Sequence, residues 1–253
     1  MSINMERVAE LTEIESRRLN ERTKGSGDMY NRARNSLSGG VASSYQLREP
    51  WPIYLERGQG PKVWDVDGNE MWDFHNGFGS MLQGHAHPVI GEAIQERYGK
   101  GTHFAAPTED ALAVAENLSS RWGLPKWRYT NSGSESTMDA IRIARAYTGR
   151  DTVMKIFGSY HGHHDTVMVS IGVEYDKIGD RDNLASLPYG GGIPDATVQM
   201  TVPVPFNDAE AMERRIIRLT DEGRKPACVI MEPAMMNLGV VLPEPGYLEQ
   251  VRE

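Results

Sequence analysis

Cysteine is nearly absent: Cys228 is the only one in 253 residues. A lone thiol can build neither a disulfide framework nor a cysteine metal knot. It sits inside the strand-like run Ala227 to Met231, so it reads as a small buried hydrophobe in a reducing compartment. Long apolar runs are missing too, and no window reaches the ~18 to 20 apolar residues that a bilayer-spanning helix requires. The stretch Met1 to Lys24 has neither the basic start nor the apolar centre of a secretory signal. It carries Glu6, Glu10, Glu13 and Glu15 among Leu and Arg residues, which predicts a helix of the mature, cytoplasmic protein. There is no basic excess: 27 Lys and Arg face 35 Asp and Glu, a formal net charge of −8. That balance argues against a nucleic-acid or membrane partner and leaves Arg17-Arg18 and Arg214-Arg215 as solvated helix faces. No internal repeat is visible. The remaining composition, 39% hydrophobic and 25% charged, is that of a globular protein suited to small-molecule chemistry.

The expected order of elements starts with the N-terminal helix, with Lys24 to Gly27 and Leu37 to Gly40 read as loops. Short strands at Ile53 to Glu56, Pro61 to Val66 and Glu70 to Phe74 form an antiparallel meander, turned at Asp67-Gly68-Asn69. Asp65-x-Asp67-x-Asn69 is not a calcium loop, because Glu70 stands where glycine is needed and Asn76 replaces the bidentate Glu. From Pro88 the pattern becomes helix and strand in alternation. Helices are expected from Pro88 to about Lys100, and after Thr108 to about Arg121 with Leu112, Ala115 and Leu118 inward. Strands follow at Trp127 to Thr130, Thr152 to Phe157, Gln199 to Pro203 and Ala227 to Met231, with helices Ser136 to Tyr147 and Asp208 to Glu222 between them. That alternation predicts an α/β fold with a mainly parallel sheet flanked by helices. Residues 1–75 form the first division (helix and meander), and residues 76–253 the ligand-binding one. The glycine- and proline-rich stretch 171–197 is long enough to be a functional loop.

Two motifs carry the chemistry. Tyr129-Thr130-Asn131-Ser132-Gly133-Ser134-Glu135-Ser136 opens a helix whose apolar positions are Ala140, Ile143, Ala144 and Tyr147. Ser132 and Glu135 have capping-box spacing, which leaves the backbone N–H groups of Gly133 and Ser134 free for an anion. Tyr160-His161-Gly162-His163 follows the Thr152 strand and puts an aromatic ring at the strand's carboxyl end, where α/β sheets bind ligands. Anion cradle and ring platform together point to a phosphorylated, ring-shaped cofactor. The His-x-His spacings at His85/His87 and His161/His163 are compatible with zinc, but no Glu-x-x-His helix accompanies them.

The joint order of Gly39-Gly40-Val41, Trp64-Asp65-Val66-Asp67-Gly68-Asn69, Gly84-His85-Ala86-His87-Pro88, Asn131 to Glu135, Tyr160 to His163 and Glu232-Pro233 resembles the class III, fold type I pyridoxal-phosphate aminotransferases. Within them it is most similar to the glutamate-1-semialdehyde aminomutase group. The resemblance implies pyridoxal 5′-phosphate as cofactor, a homodimer, and movement of an amino group to or within a small carbonyl compound through a cofactor imine. It also implies that Ser132, Gly133 and Ser134 hold the phosphate, that Tyr160 stacks on the ring with His161 in support, and that residues 171–197 are a mobile lid. Glu232 is read as near the cofactor or as a cap on backbone amides, and Asn237 as near the cofactor's phenolic oxygen or the substrate. Ser43, Gln46 and Arg48 fall at the substrate position. Gln46 stands where the mutases carry a carboxylate-binding arginine, so Arg48 takes over or the substrate differs. The family's pyridinium aspartate, Schiff-base lysine and C-terminal domain are expected beyond Glu253. The rival expectation is a truncated, inactive relative that keeps only phosphate binding and an association surface.

Overall fold

The computed structural model describes residues 3–253; Met1 and Ser2, part of the expected first helix, lie outside the described residues. The chain divides into two compact units, Met1–Ala111 and Leu112–Glu253.

In the first unit, α1 (Met5–Arg22) is capped by Asn4, whose side chain accepts from Arg7 N–H. A second helix, α2 (Lys24–Ala33), follows at once, where a loop was expected at Lys24 to Gly27. Its glycines argue against a helix locally, but the Asp67 carboxylate accepts from Gly25 N–H at 2.6 Å and Ser26 N–H at 3.0 Å and secures the helix start from a distance. The meander is present as β1 (Leu55–Gln59), β2 (Lys62–Asp65) and β3 (Glu70–Trp72), antiparallel in the order β1-β2-β3. Asp65 spends its oxygens within the turn, accepting from Asp67 N–H, Asn69 N–H and Asn69 Nδ2. After the short α3 (Asn76–Gly79) comes α4 (Pro88–Tyr98), with proline in its first turn. The division between units falls inside α5 (Glu109–Trp122), where Leu112, expected inward, is exposed.

The second unit is built on α6 (Gly133–Thr148), β4 (Val153–Ile156), the small hairpin β5 (Gly179–Asp180) and β6 (Asn183–Leu184), α7 (Asp195–Gln199), β7 (Thr201–Val204), α8 (Ala209–Asp221), β8 (Cys228–Ile230) and α9 (Tyr247–Arg252). β4 lies between β7 and β8 and pairs with both in parallel, with Val153 opposite Thr201 and Cys228. All four β4 residues are buried, as a strand covered on both faces requires. Met154 and Ile156 pack with Val202, Val204, Met212 and Leu219, while Val153 packs with Ile141 of α6 and Val167. The two-residue period of the strand thus sorts the two faces. Pro203 is tolerated because β7 is an edge strand.

Two expectations are corrected here. Trp127 to Thr130 forms no strand and joins no ladder; the Trp127 indole donates to Ser119 Oγ and to the Leu124 carbonyl. The buried face of α6 is the one carrying Ile141, while Ile143 and Tyr147 are 68% and 91% exposed. The helix has apolar residues on two sides, and the sheet takes the other one.

Candidate functional site

The start of α6 is set by short-range chemistry. Ser132 Oγ accepts from Glu135 N–H at 3.2 Å, and Glu135 Oε2 accepts from Asn131 N–H at 2.6 Å. Among the described residues no acceptor pairs with the N–H groups of Gly133 and Ser134. A Cβ built on Gly133 would meet no heavy atom within 4 Å, so there is free space beside the first residue of the helix. Two unpaired amides at the positive end of a 16-residue helix make a candidate anion cradle.

The segment after β4 is held against that cradle. Gly162 has φ +108°, and a Cβ there would lie 2.6 Å from Ser134 Cα. Only glycine permits this approach. It lets His163 N–H donate to Ser134 Oγ at 2.8 Å and Thr137 Oγ1 donate to the His161 carbonyl at 2.6 Å. Tyr160 is 47% exposed. Its N–H donates to Glu232 Oε1 at 3.0 Å, and Met236 N–H donates to Glu232 Oε2 at 2.7 Å. Glu232 therefore joins two loops by capping backbone amides. Asn237 Nδ2 donates to the Gly158 carbonyl at 3.1 Å, so Asn237 ties the same loops. Ser132, Gly133, Ser134, Tyr160, His161, Glu232 and Asn237 thus come together in one hydrogen-bonded assembly.

His161 is the electrostatic oddity of the assembly. Its Nε2 is buried without a hydrogen-bond partner. Burial is the main cause that brings its pKa down to about 4, with the Lys155 charge adding and Glu232 opposing. The imidazole is therefore neutral near pH 7. His164 is shifted down as well, chiefly by burial. Cys228 is half-buried, and burial pushes its thiol pKa up, away from nucleophilic character.

The expected substrate residues lie in the first unit. Ser43 and Gln46 form a capping box around a short 3-10 turn, with Gln46 Oε1 accepting from Ser43 N–H at 3.2 Å. Arg48 Nη1 donates to the carbonyls of Tyr45 and Leu47, and its guanidinium lies over the Tyr45 ring. Beside them Tyr45, His75 and Phe78 form an aromatic cluster, with Phe78 centred 4.9 Å from Tyr45 and 4.3 Å from His75. Asn76 and Phe78 hold φ of 51° and 58°, a left-handed backbone that non-glycine residues rarely adopt. Sequence reasoning missed this cluster, as it missed Thr137. The one signal for Thr137 was a hydroxyl on the first turn of a helix that was already suspected of binding an anion.

Residues 44–253 match the family described as Aminotransferase class-III. The chain is 40% identical over 229 residues to a glutamate-1-semialdehyde 2,1-aminomutase of Methanothermobacter thermautotrophicus, covering 90% of this chain and 52% of that protein. Among solved structures it is similar to an omega-transaminase from Sphaerobacter thermophilus, with 39% identity and a TM-score of 0.84 over 90% of this chain and 51% of that one. It is also similar to a glutamate-1-semialdehyde aminomutase from Pseudomonas aeruginosa PAO1, with 29% identity and a TM-score of 0.84 over 100% of this chain and 53% of that one. The chain thus spans about half the length of the curated relatives it matches. With its fold and most of its length so matched, the chain belongs to the aminotransferase class-III family.

Proposed function

We propose that this chain is the cofactor-holding part of an aminotransferase or aminomutase, with pyridoxal 5′-phosphate bound between the start of α6 and the Tyr160 loop. The observation that carries this reading is the pair of unpaired amides on Gly133 and Ser134, with free space beside Gly133 and a half-exposed tyrosine on the loop packed against Ser134. When bound, the cofactor supplies the electron sink that lets an amino group move to or within a small carbonyl compound. Gly133 and Ser134 donate their N–H groups to its phosphate, with Ser132 beside them. Tyr160 covers one face of the ring, and neutral His161 lies behind it. Glu232 and Asn237 act by holding the Tyr160 loop in register.

Pyridoxamine 5′-phosphate is the probe of choice, because its amine cannot condense with any lysine and so reports only cradle and platform. Tyr160→Ala should weaken its binding by about tenfold or more, and Tyr160→Phe by less, since the phenyl face still stacks. Equal losses from both would assign the effect to the hydroxyl and remove the stacking role.

For the substrate, Gln46 carries no charge and is tied into its own cap, while Arg48 spends its Nη1 on two carbonyls and keeps only its Nε–Nη2 edge for a carboxylate. Glutamate-1-semialdehyde should accordingly be turned over poorly with the family's C-terminal half present, and Gln46→Arg should raise kcat/KM for it by about tenfold. Efficient turnover without the substitution would refute this specificity. Homodimerisation is part of the same proposal. It is supported by apolar side chains left open on the chain, among them Phe74 at 95% and Leu82 at 80%. Residues 171–197 are proposed as the lid, with ion pairs from Arg181 to Asp208 and from Arg214 to Asp182 tying its hairpin to the start of α8.

A further inference from the structure

Lys155 is the only charged residue of β4, and its side chain is completely buried. It shares with Val153 the strand face turned to α6. Its Nζ lies 2.8 Å from the carbonyl oxygen of Ser159, 3.2 Å from that of Val167 and 2.7 Å from that of Val169. An ammonium has three N–H bonds, and here each has a carbonyl to receive it. No carboxylate pairs with it among the described residues. Burial draws its pKa down to about 8, opposed by the charge of Glu232, so it remains mostly protonated near pH 7.

Burying an ammonium only to fill space is unfavourable, because a methionine would occupy the same volume without the desolvation cost. The acceptors show what the charge accomplishes. Ser159 immediately precedes Tyr160, whereas Val167 and Val169 lie beyond His164, so one nitrogen grips both ends of the segment that carries the platform. We infer that Lys155 is a positioning residue whose ammonium clasps the two ends of the 159–169 loop and thereby sets Tyr160 and His161 against the anion cradle. This rests on the cofactor reading above for its purpose, though not for its geometry. The same three bonds leave the nitrogen no free face, so Lys155 is not itself available as an amine nucleophile.

The test compares the wild-type chain with Lys155→Met and Lys155→Arg. Pyridoxamine 5′-phosphate affinity should fall at least tenfold in Lys155→Met and be partly restored in Lys155→Arg, which keeps donors at the site. The titration of His161, which faces Lys155 from β4, Glu232 from the loop after β8, and His164 from its own loop, reports whether the ammonium stands beside that ring. Two of these charges, Lys155 and His164, lower its pKa and Glu232 raises it, so removing the Lys155 charge should move the His161 pKa upward from about 4, read by NMR. Should Lys155→Met fail to fold, wild-type protein labelled with 15N-lysine decides: the Lys155 ammonium protons should exchange far more slowly than those of the six other lysines. Failure of wild type to bind the probe would sink the cofactor reading, and the clasp would still be judged by proton exchange and the His161 titration. An unchanged His161 titration together with unchanged probe affinity in folded Lys155→Met, or fast exchange of the wild-type ammonium protons, would overturn the inference.

Discussion

Gly133→Val is expected to lose at least a hundredfold in affinity for pyridoxamine 5′-phosphate while the protein remains as stable as before. A Cβ at Gly133 meets no heavy atom within 4 Å, so there is room at the position for a side chain. Its backbone needs no conformation reserved for glycine, and replacing glycine within a helix is neutral or slightly favourable, by a few tenths of a kcal/mol. The isopropyl group would project into the space before the Gly133 and Ser134 amides, where the phosphate is proposed to sit. Hydrogen bonds to a charged group contribute about 1.5 to 3 kcal/mol each, so excluding the anion from two of them corresponds to a hundredfold loss or more. The measurement is a titration of the probe beside a urea unfolding curve. A folded variant with undiminished affinity would move the phosphate away from α6.

What was legible in the sequence was what local chemistry decides. The start of α6 follows from Ser132 and Glu135 alone, although Glu135 reaches the Asn131 amide, one residue earlier than the standard box. The meander follows from its alternating strands and from the turn at Gly68, and β4 from its run of β-branched and apolar residues. Elements decided by distant partners were not legible. α2 looks like a loop until Asp67 is brought to its first turn, more than forty residues away in the chain. The choice between Ile141 and the Ile143/Tyr147 side of α6 depends on which face meets the sheet, and the spacing supports either. The same holds for the site. Tyr160, Gly133 and Ser134 announced themselves by residue type, whereas Glu232 showed its role only when both its oxygens were found on backbone amides. Lys155 was hidden because a lysine in an apolar run gives no hint of three carbonyls folding back over it.

The glycines make the limit plain, because Gly133 and Gly162 look alike in sequence and should respond in opposite ways. Gly162→Ala is expected to destabilise the chain by about 2 to 4 kcal/mol, since it combines an unfavourable backbone region with a steric clash. At φ +108° an alanine is strained whatever surrounds it, and its Cβ would lie 2.6 Å from Ser134 Cα and 2.7 Å from Ser134 Oγ. Rotating the Ser134 side chain relieves the overlap with Oγ, but the overlap with the backbone carbon persists, because that atom belongs to the first turn of α6. The loop must therefore withdraw, breaking the bonds from His163 N–H to Ser134 Oγ and from Thr137 Oγ1 to the His161 carbonyl. Platform and cradle would separate, so probe affinity should fall together with stability, in contrast to Gly133→Val, where affinity alone is lost. Urea unfolding gives the stability change, and amide hydrogen exchange over residues 159–169 should show faster opening in Gly162→Ala but not in Gly133→Val. Wild-type stability and wild-type binding in Gly162→Ala would mean that the loop does not press on the start of α6, and the assembly proposed to hold the cofactor would lose its geometric basis.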